Sequence, residues 1–171
     1  MKRQLFAAAA TFAASLTMAP LAHAACAVDV TDPFELDAAA IDEIYTCLKD
    51  EMAEKYAKEG DEVAAAYRDW TVSSTRPAVA GAHGNRLLQT FANDTAAEQY
   101  LKFAEEGVDM PAGSVLAKES ISISSKKKEA RTGPLFIMTK GDEGSAPDTA
   151  DWVYAGVQPN GKPMKFKQSF C

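Results

Sequence analysis

The residues of this 171-residue chain whose types and spacing could do chemistry are three cysteines, two histidines and one lysine set in an alternating segment. Cys26 and Cys47 flank the start of an amphipathic stretch. In an oxidising compartment they could join in a disulfide that pins the N-terminal arm. Cys171 is then left over, and it reads as a terminal free thiol, as half of an intermolecular bridge, or as the opening residue of a two-cysteine attachment motif. His83, in Ala82-His83-Gly84-Asn85-Arg86, reads as a surface or structural histidine and is not promoted to a metal ligand. Lys118 shares a strand face with Leu116, Ser120 and Ser122, the usual placing of a solvated lysine. Asp142 and Glu143 could relay protons beside a reactive centre, but they read more simply as loop charges.

Other reaction classes find little material. There is no histidine pair or Cys-x-x-Cys with zinc spacing, no glycine loop for phosphate, and no second histidine outside the N-terminal segment for a hydrolytic triad. Phe91, Tyr100, Phe103, Phe136, Met138, Trp152 and Tyr154 could line an apolar ligand pocket, although at strand and helix spacing such residues are usually core.

The elements that must position these groups begin after residue 24. Lys2 and Arg3, an apolar run from Leu5 to Met18 and the small-x-small Ala22-His23-Ala24 together read as a cleaved export signal, residues 1–24. That run is too short to span a bilayer. Removing 24 of 171 residues leaves 147, the size of a single domain spanning 25–171. The signal takes two basic residues with it, so the net charge falls from −6 to −8, which disfavours nucleic acid and anionic lipid as partners.

Ile41, Ile44, Tyr45, Leu48, Met52 and Tyr56 recur at three- and four-residue steps, predicting a helix capped by Asp37 and ending near Gly60. Cys47 lies at the border of that stripe and is expected to be partly covered. Residues 61–70 continue helically, and 71–85 carry turn chemistry. Arg86 to Ala92 reads as a strand, and Thr95-Ala96-Ala97-Glu98 as the start of a short helix ending at Gly107. Four strands are predicted next, over 114–124, 134–140, 152–157 and 164–170, with a tight turn at Pro159-Asn160-Gly161-Lys162. The fold class is α+β: N-terminal helices followed by an antiparallel sheet with one inserted helix.

Several separated motifs occur in one order. They are Met110-Pro111-Ala112-Gly113-Ser114-Val115-Leu116-Ala117-Lys118-Glu119-Ser120, Gly133-Pro134-Leu135-Phe136-Ile137-Met138, Pro159-Asn160-Gly161-Lys162-Pro163 and Phe170-Cys171. In that arrangement the chain, from about Phe34 to Cys171, resembles the cytochrome P-460 family. The resemblance implies a periplasmic c-type haem domain acting on hydroxylamine or nitric oxide, by oxidation or gas binding with electron transfer. Cys171 then matches the first thioether cysteine of Cys-x-x-Cys-His, and Lys118 matches the lysine that the family cross-links to the macrocycle. The axial histidine that closes the motif is not among the 171 residues, so the expectation is a fragment of a longer haem protein; a haem-free binding or structural module is the alternative. The partners implied are a small nitrogen-oxide or hydroxylamine-like ligand, a periplasmic electron-transfer protein and, as a homodimer, a second copy of the chain.

Overall fold

The apolar stripe of the first half becomes one long helix laid against a sheet. The structure, a computed structural model, describes residues 26–165, 167 and 168. The expected signal and the expected thioether residue Cys171 lie outside those residues. Strand β1 (Cys26–Ala27) leads through a 3₁₀ turn at Pro33–Glu35 into helix α1 (Ala38–Ala57). Asp37 caps α1 by accepting the Ala40 N–H at 2.8 Å, satisfying a backbone donor that the first helical turn leaves open. Ile41, Ile44, Leu48, Met52 and Tyr56 are its buried residues, the face predicted to meet the sheet. The chain leaves the helix through Gly60, whose φ of 80° suits glycine. The second helical stretch follows as α2 (Glu62–Ala66) and a 3₁₀ turn at Tyr67–Asp69. Cys26 and Cys47 form a disulfide with Cα atoms 6.3 Å apart, tying β1 to α1. Cys47 itself is exposed rather than partly covered, because it sits on the flank of the helix away from the stripe.

The turn-rich segment 71–85 is not a plain loop. It holds β2 (Thr71–Val72), β3 (Ala78–Ala80) and a 3₁₀ turn at Gly81–His83, and both strands pair with β4 (Arg86–Ala92). Helix α3 (Asp94–Tyr100) is capped by Asn93 rather than Thr95: Asn93 Oδ1 accepts the Ala96 N–H at 2.9 Å, and the helix stops well short of Gly107. Then come β5 (Val115–Ser124), β6 (Glu129–Thr132), β7 (Leu135–Lys140) and β8 (Trp152–Val157). Strand β6 escapes sequence reading because four residues with two charges carry no usable period. The predicted return strand over 164–170 does not form across its described residues. One bridge joins Val157 to Pro163, and beyond it the side-chain amide of Gln168 bonds the backbone of Tyr154 at 2.7 and 2.8 Å.

All eight strands join one antiparallel sheet, so the α+β architecture stands as read. Strand β4 runs along one edge of β5; β6 and β7 share the other, pairing with Ile121–Ser124 and Val115–Lys118 respectively. Between them Gly133-Pro134 breaks the ladder opposite Ser120. Gly133 N–H donates to the Ser120 carbonyl at 2.7 Å, Ser120 Oγ donates to the Pro134 carbonyl at 2.5 Å, and a Cβ at Gly133 would collide with Ser120 Oγ. This interruption curls the sheet. One face, bearing Leu87, Phe91, Ala117, Ile121, Leu135 and Ile137, buries against α1. The other is covered at one end only, where α3 packs Ala96 and Tyr100 over Ala92, Leu116, Met138 and Trp152.

Candidate functional site

The uncovered part of that second face is a trough, and strand register decides what lines it. Thr90, Lys118, Phe136 and Gly156 lie in one row across β4, β5, β7 and β8, with Leu116, Met138 and Tyr154 in the next. Side chains alternate along a strand, so Lys118 turns to the trough while its neighbour Glu119 turns to the core. The 3₁₀ turn at Gly81–His83 forms the opposite wall. The resulting cavity, about 560 Å³, is lined by His83, Arg86, Lys118, Phe136, Met138 and Tyr154 among others. That lies within the roughly 300–1,000 Å³ range of small-molecule and cofactor sites.

The polar groups facing the trough are held in different ways. Lys118 has no hydrogen-bond or ion-pair partner among the described residues, and burial holds its pKa below the ordinary lysine value. It is therefore not the freely solvated lysine that its strand position first suggests. The His83 ring packs against Phe136 with centroids 4.9 Å apart. Burial first, then the charges of Lys118 and Arg86, lower its pKa below that of a free histidine, favouring the neutral imidazole. Arg86 donates from Nη1 to the His83 carbonyl at 2.5 Å and from Nε to Ser122 Oγ at 3.2 Å.

Behind the trough, on the core side of β5, lies a charged cluster. Glu119 is 1% exposed, accepts from Tyr67 Oη at 2.5 Å and Tyr45 Oη at 2.9 Å, and is ion-paired with Arg68. Burial pushes the Glu119 carboxyl up, with Arg68 and the two phenols pulling it back. Burial likewise raises Tyr45 and Tyr67, which stay protonated and act as donors. The Arg68 guanidinium lies within 6 Å of the Tyr45, Tyr67 and Phe91 ring centroids. Asn93 anchors the other end of β5: Oδ1 also accepts the Val115 N–H at 3.0 Å, and Nδ2 donates to the Gly113 carbonyl at 3.0 Å.

Of the residues singled out in the sequence, the fold gathers Lys118, His83, Phe136, Met138 and Tyr154 around one cavity. It separates the rest. Phe91 is in the main core, Tyr100 at the end of α3 and Trp152 join the small cluster around Ala96, Phe103 is 69% exposed, and Asp142 and Glu143 do not line the trough. Arg86 was not singled out, although period-two alternation from Leu88 and Thr90 places it on the same face as those residues. The Arg68–Glu119 cluster had no sequence signal, since its members are far apart in the chain.

The lining suits a haem. Its walls are aromatic and aliphatic, His83 offers a neutral imidazole, and two cations face the space without a carboxylate from the described residues. Among those residues no cluster of three or more His, Cys, Asp or Glu could hold a metal ion directly. No helix among them is long and apolar enough to cross a membrane. Comparison with curated proteins finds no match. Comparison with protein families matches residues 64–171 to Cytochrome P460, a span that begins within α2 and takes in every element of the trough. That match covers more than half of the chain, and the chain therefore belongs to the cytochrome P460 family, which implies a haem cofactor.

Proposed function

We propose that the protein is a periplasmic cytochrome of hydroxylamine or nitric oxide chemistry, with its haem on the outer face of the sheet. The observation that carries this reading is Lys118: an amine without a counter-ion, half-buried in an apolar trough and pushed toward its neutral form. In this reading residues 1–24 are an export signal and 25–171 a single domain. Cys171 supplies the first thioether bond and Lys118 Nζ a cross-link to the macrocycle. Such a cross-link replaces one N–H and one ring C–H by an N–C bond, passing two protons and two electrons to an oxidant of the peroxide class. A free amine is the form able to make it, which is what partial desolvation of Lys118 favours.

When bound, the haem supplies a redox-active iron at which a small nitrogen-oxide ligand can sit. The chain's own part is to shape and dry that space. Phe136, Met138 and Tyr154 exclude water along one wall. Neutral His83 presents a ring nitrogen able to accept a proton from an N–OH group. Electrons would leave to a periplasmic acceptor protein with a basic docking face, in keeping with the acidic net charge of −8 that remains once residues 1–24 are removed.

The test is the absorption spectrum and the hydroxylamine-dependent reduction of an electron acceptor, measured on exported full-length protein matured with haem. A Soret band that shifts in Lys118→Arg, with oxidation lost, supports the cross-linked enzyme. Colourless, stably folded wild-type protein would sink the reading in favour of a haem-free module.

A further inference from the structure

Resting on the haem reading above, we propose that Arg86 is the anchor for a carboxylate of the macrocycle, gripping a propionate at the end of the trough away from α3. Four arginines lie among the described residues, and three are paired: Arg68 with Glu119, Arg76 with Asp42 and Arg131 with Glu129. Arg86 is the exception. It has no carboxylate partner among the described residues, although the chain is acidic overall.

Its guanidinium is nevertheless held in place. Nη1 is committed to the His83 carbonyl and Nε to Ser122 Oγ, which leaves both N–H groups of Nη2 for a ligand. The turn is built around it. Gly84 has φ of 70°, and a Cβ there would come within 3.0 Å of Arg86 Nη1. A fixed guanidinium at the rim of an apolar slot is suited to a planar carboxylate, because the ordering cost is met before binding. Register separates this position from the cross-linking amine. Arg86 stands beside Ser122, four residues along β5 from Lys118, or about 13 Å at strand spacing. A ring could thus be held at both places at once, by its carboxylate at Arg86 and by its edge at Lys118.

The test uses the mature chain without bound haem and two probes, haemin and haemin dimethyl ester, titrated into wild-type, Arg86→Gln and Arg86→Lys proteins by absorbance. Wild type should prefer haemin to the ester by about tenfold, the scale of one charged hydrogen bond. In Arg86→Gln haemin should weaken by about tenfold while the ester is unaffected, and Arg86→Lys should recover part of the loss. Two results would overturn the proposal while leaving the haem reading standing. One is haemin bound equally by wild type and Arg86→Gln; the other is an equal loss for haemin and its ester, which would mean that Arg86 acts by holding the turn. Wild-type protein that binds neither probe would remove the haem reading and this proposal together.

Discussion

Replacing Glu119 by alanine should cost more stability than any substitution among the trough-facing side chains. The carboxylate is 1% exposed, pairs with Arg68 and accepts from two phenols, so its removal leaves two phenol donors without their acceptor and the Arg68 charge without its counter-ion. Breaking a buried ion pair from one side costs about 3–5 kcal/mol. Arg68 keeps 27% of its side chain in solvent and can rehydrate, which places the loss near the lower end, about 3 kcal/mol. For a domain of this size each kcal/mol lowers Tm by roughly 2–4 °C, so thermal unfolding followed by circular dichroism should move down by about 6–12 °C. Pairing the change with Arg68→Met removes the stranded cation as well. The double variant should therefore lose less than the sum of the two single changes, by about 1 kcal/mol or more. A Glu119→Ala loss below about 1 kcal/mol, or strictly additive singles, would refute the view that this pair holds the core side of β5.

Asn93→Ala removes the cap of α3 and the side-chain bonds to Val115 and Gly113, so it should cost about 1–2 kcal/mol by chemical denaturation and loosen the end of β5 nearest Lys118. The His83 pKa is lower in the folded chain than in the unfolded one, so the unfolded state binds more protons between the two values. Stability of the haem-free chain is then fully present above the ordinary histidine pKa of about 6.5 and is lost as pH falls through the folded value. Melting curves of His83→Gln across that window should lose the slope attributable to this residue; an unchanged slope would count against the packing of His83 beside Lys118 and Arg86.

Local chemistry made much of this protein legible before its fold was known. The stripe Ile41, Ile44, Leu48, Met52 and Tyr56 names the buried face of α1, because helical period and burial are the same fact seen twice. Arg86–Ala92 and Trp152–Val157 begin and end as read, since alternation bounded by turn residues fixes both their type and their limits. The ordered motifs around Lys118 identified the family, which the match over 64–171 then established. Where the reading failed, long-range pairing had overridden local signals. Strand β6 exists only because β5 offers it an edge, and the chain after the turn at 158–161 pairs with β8 through a single bridge, a length that its local pattern does not set.

The site divides in the same way. Strand period alone puts Lys118 and Glu119 on opposite faces, whatever the rest of the chain does. It cannot say that the Lys118 face is a half-covered trough rather than open solvent. Only tertiary structure decides that, by folding the His83 turn over one end of the sheet and α3 over the other, so that a lysine in contact with solvent becomes an amine short of water and counter-charge. It likewise makes a buried charge at Glu119 tolerable, by bringing Arg68, Tyr67 and Tyr45 from the helical half to one carboxylate. Sequence sets which way each side chain points; desolvation and pairing, which depend on everything packed around it, set what that side chain can do.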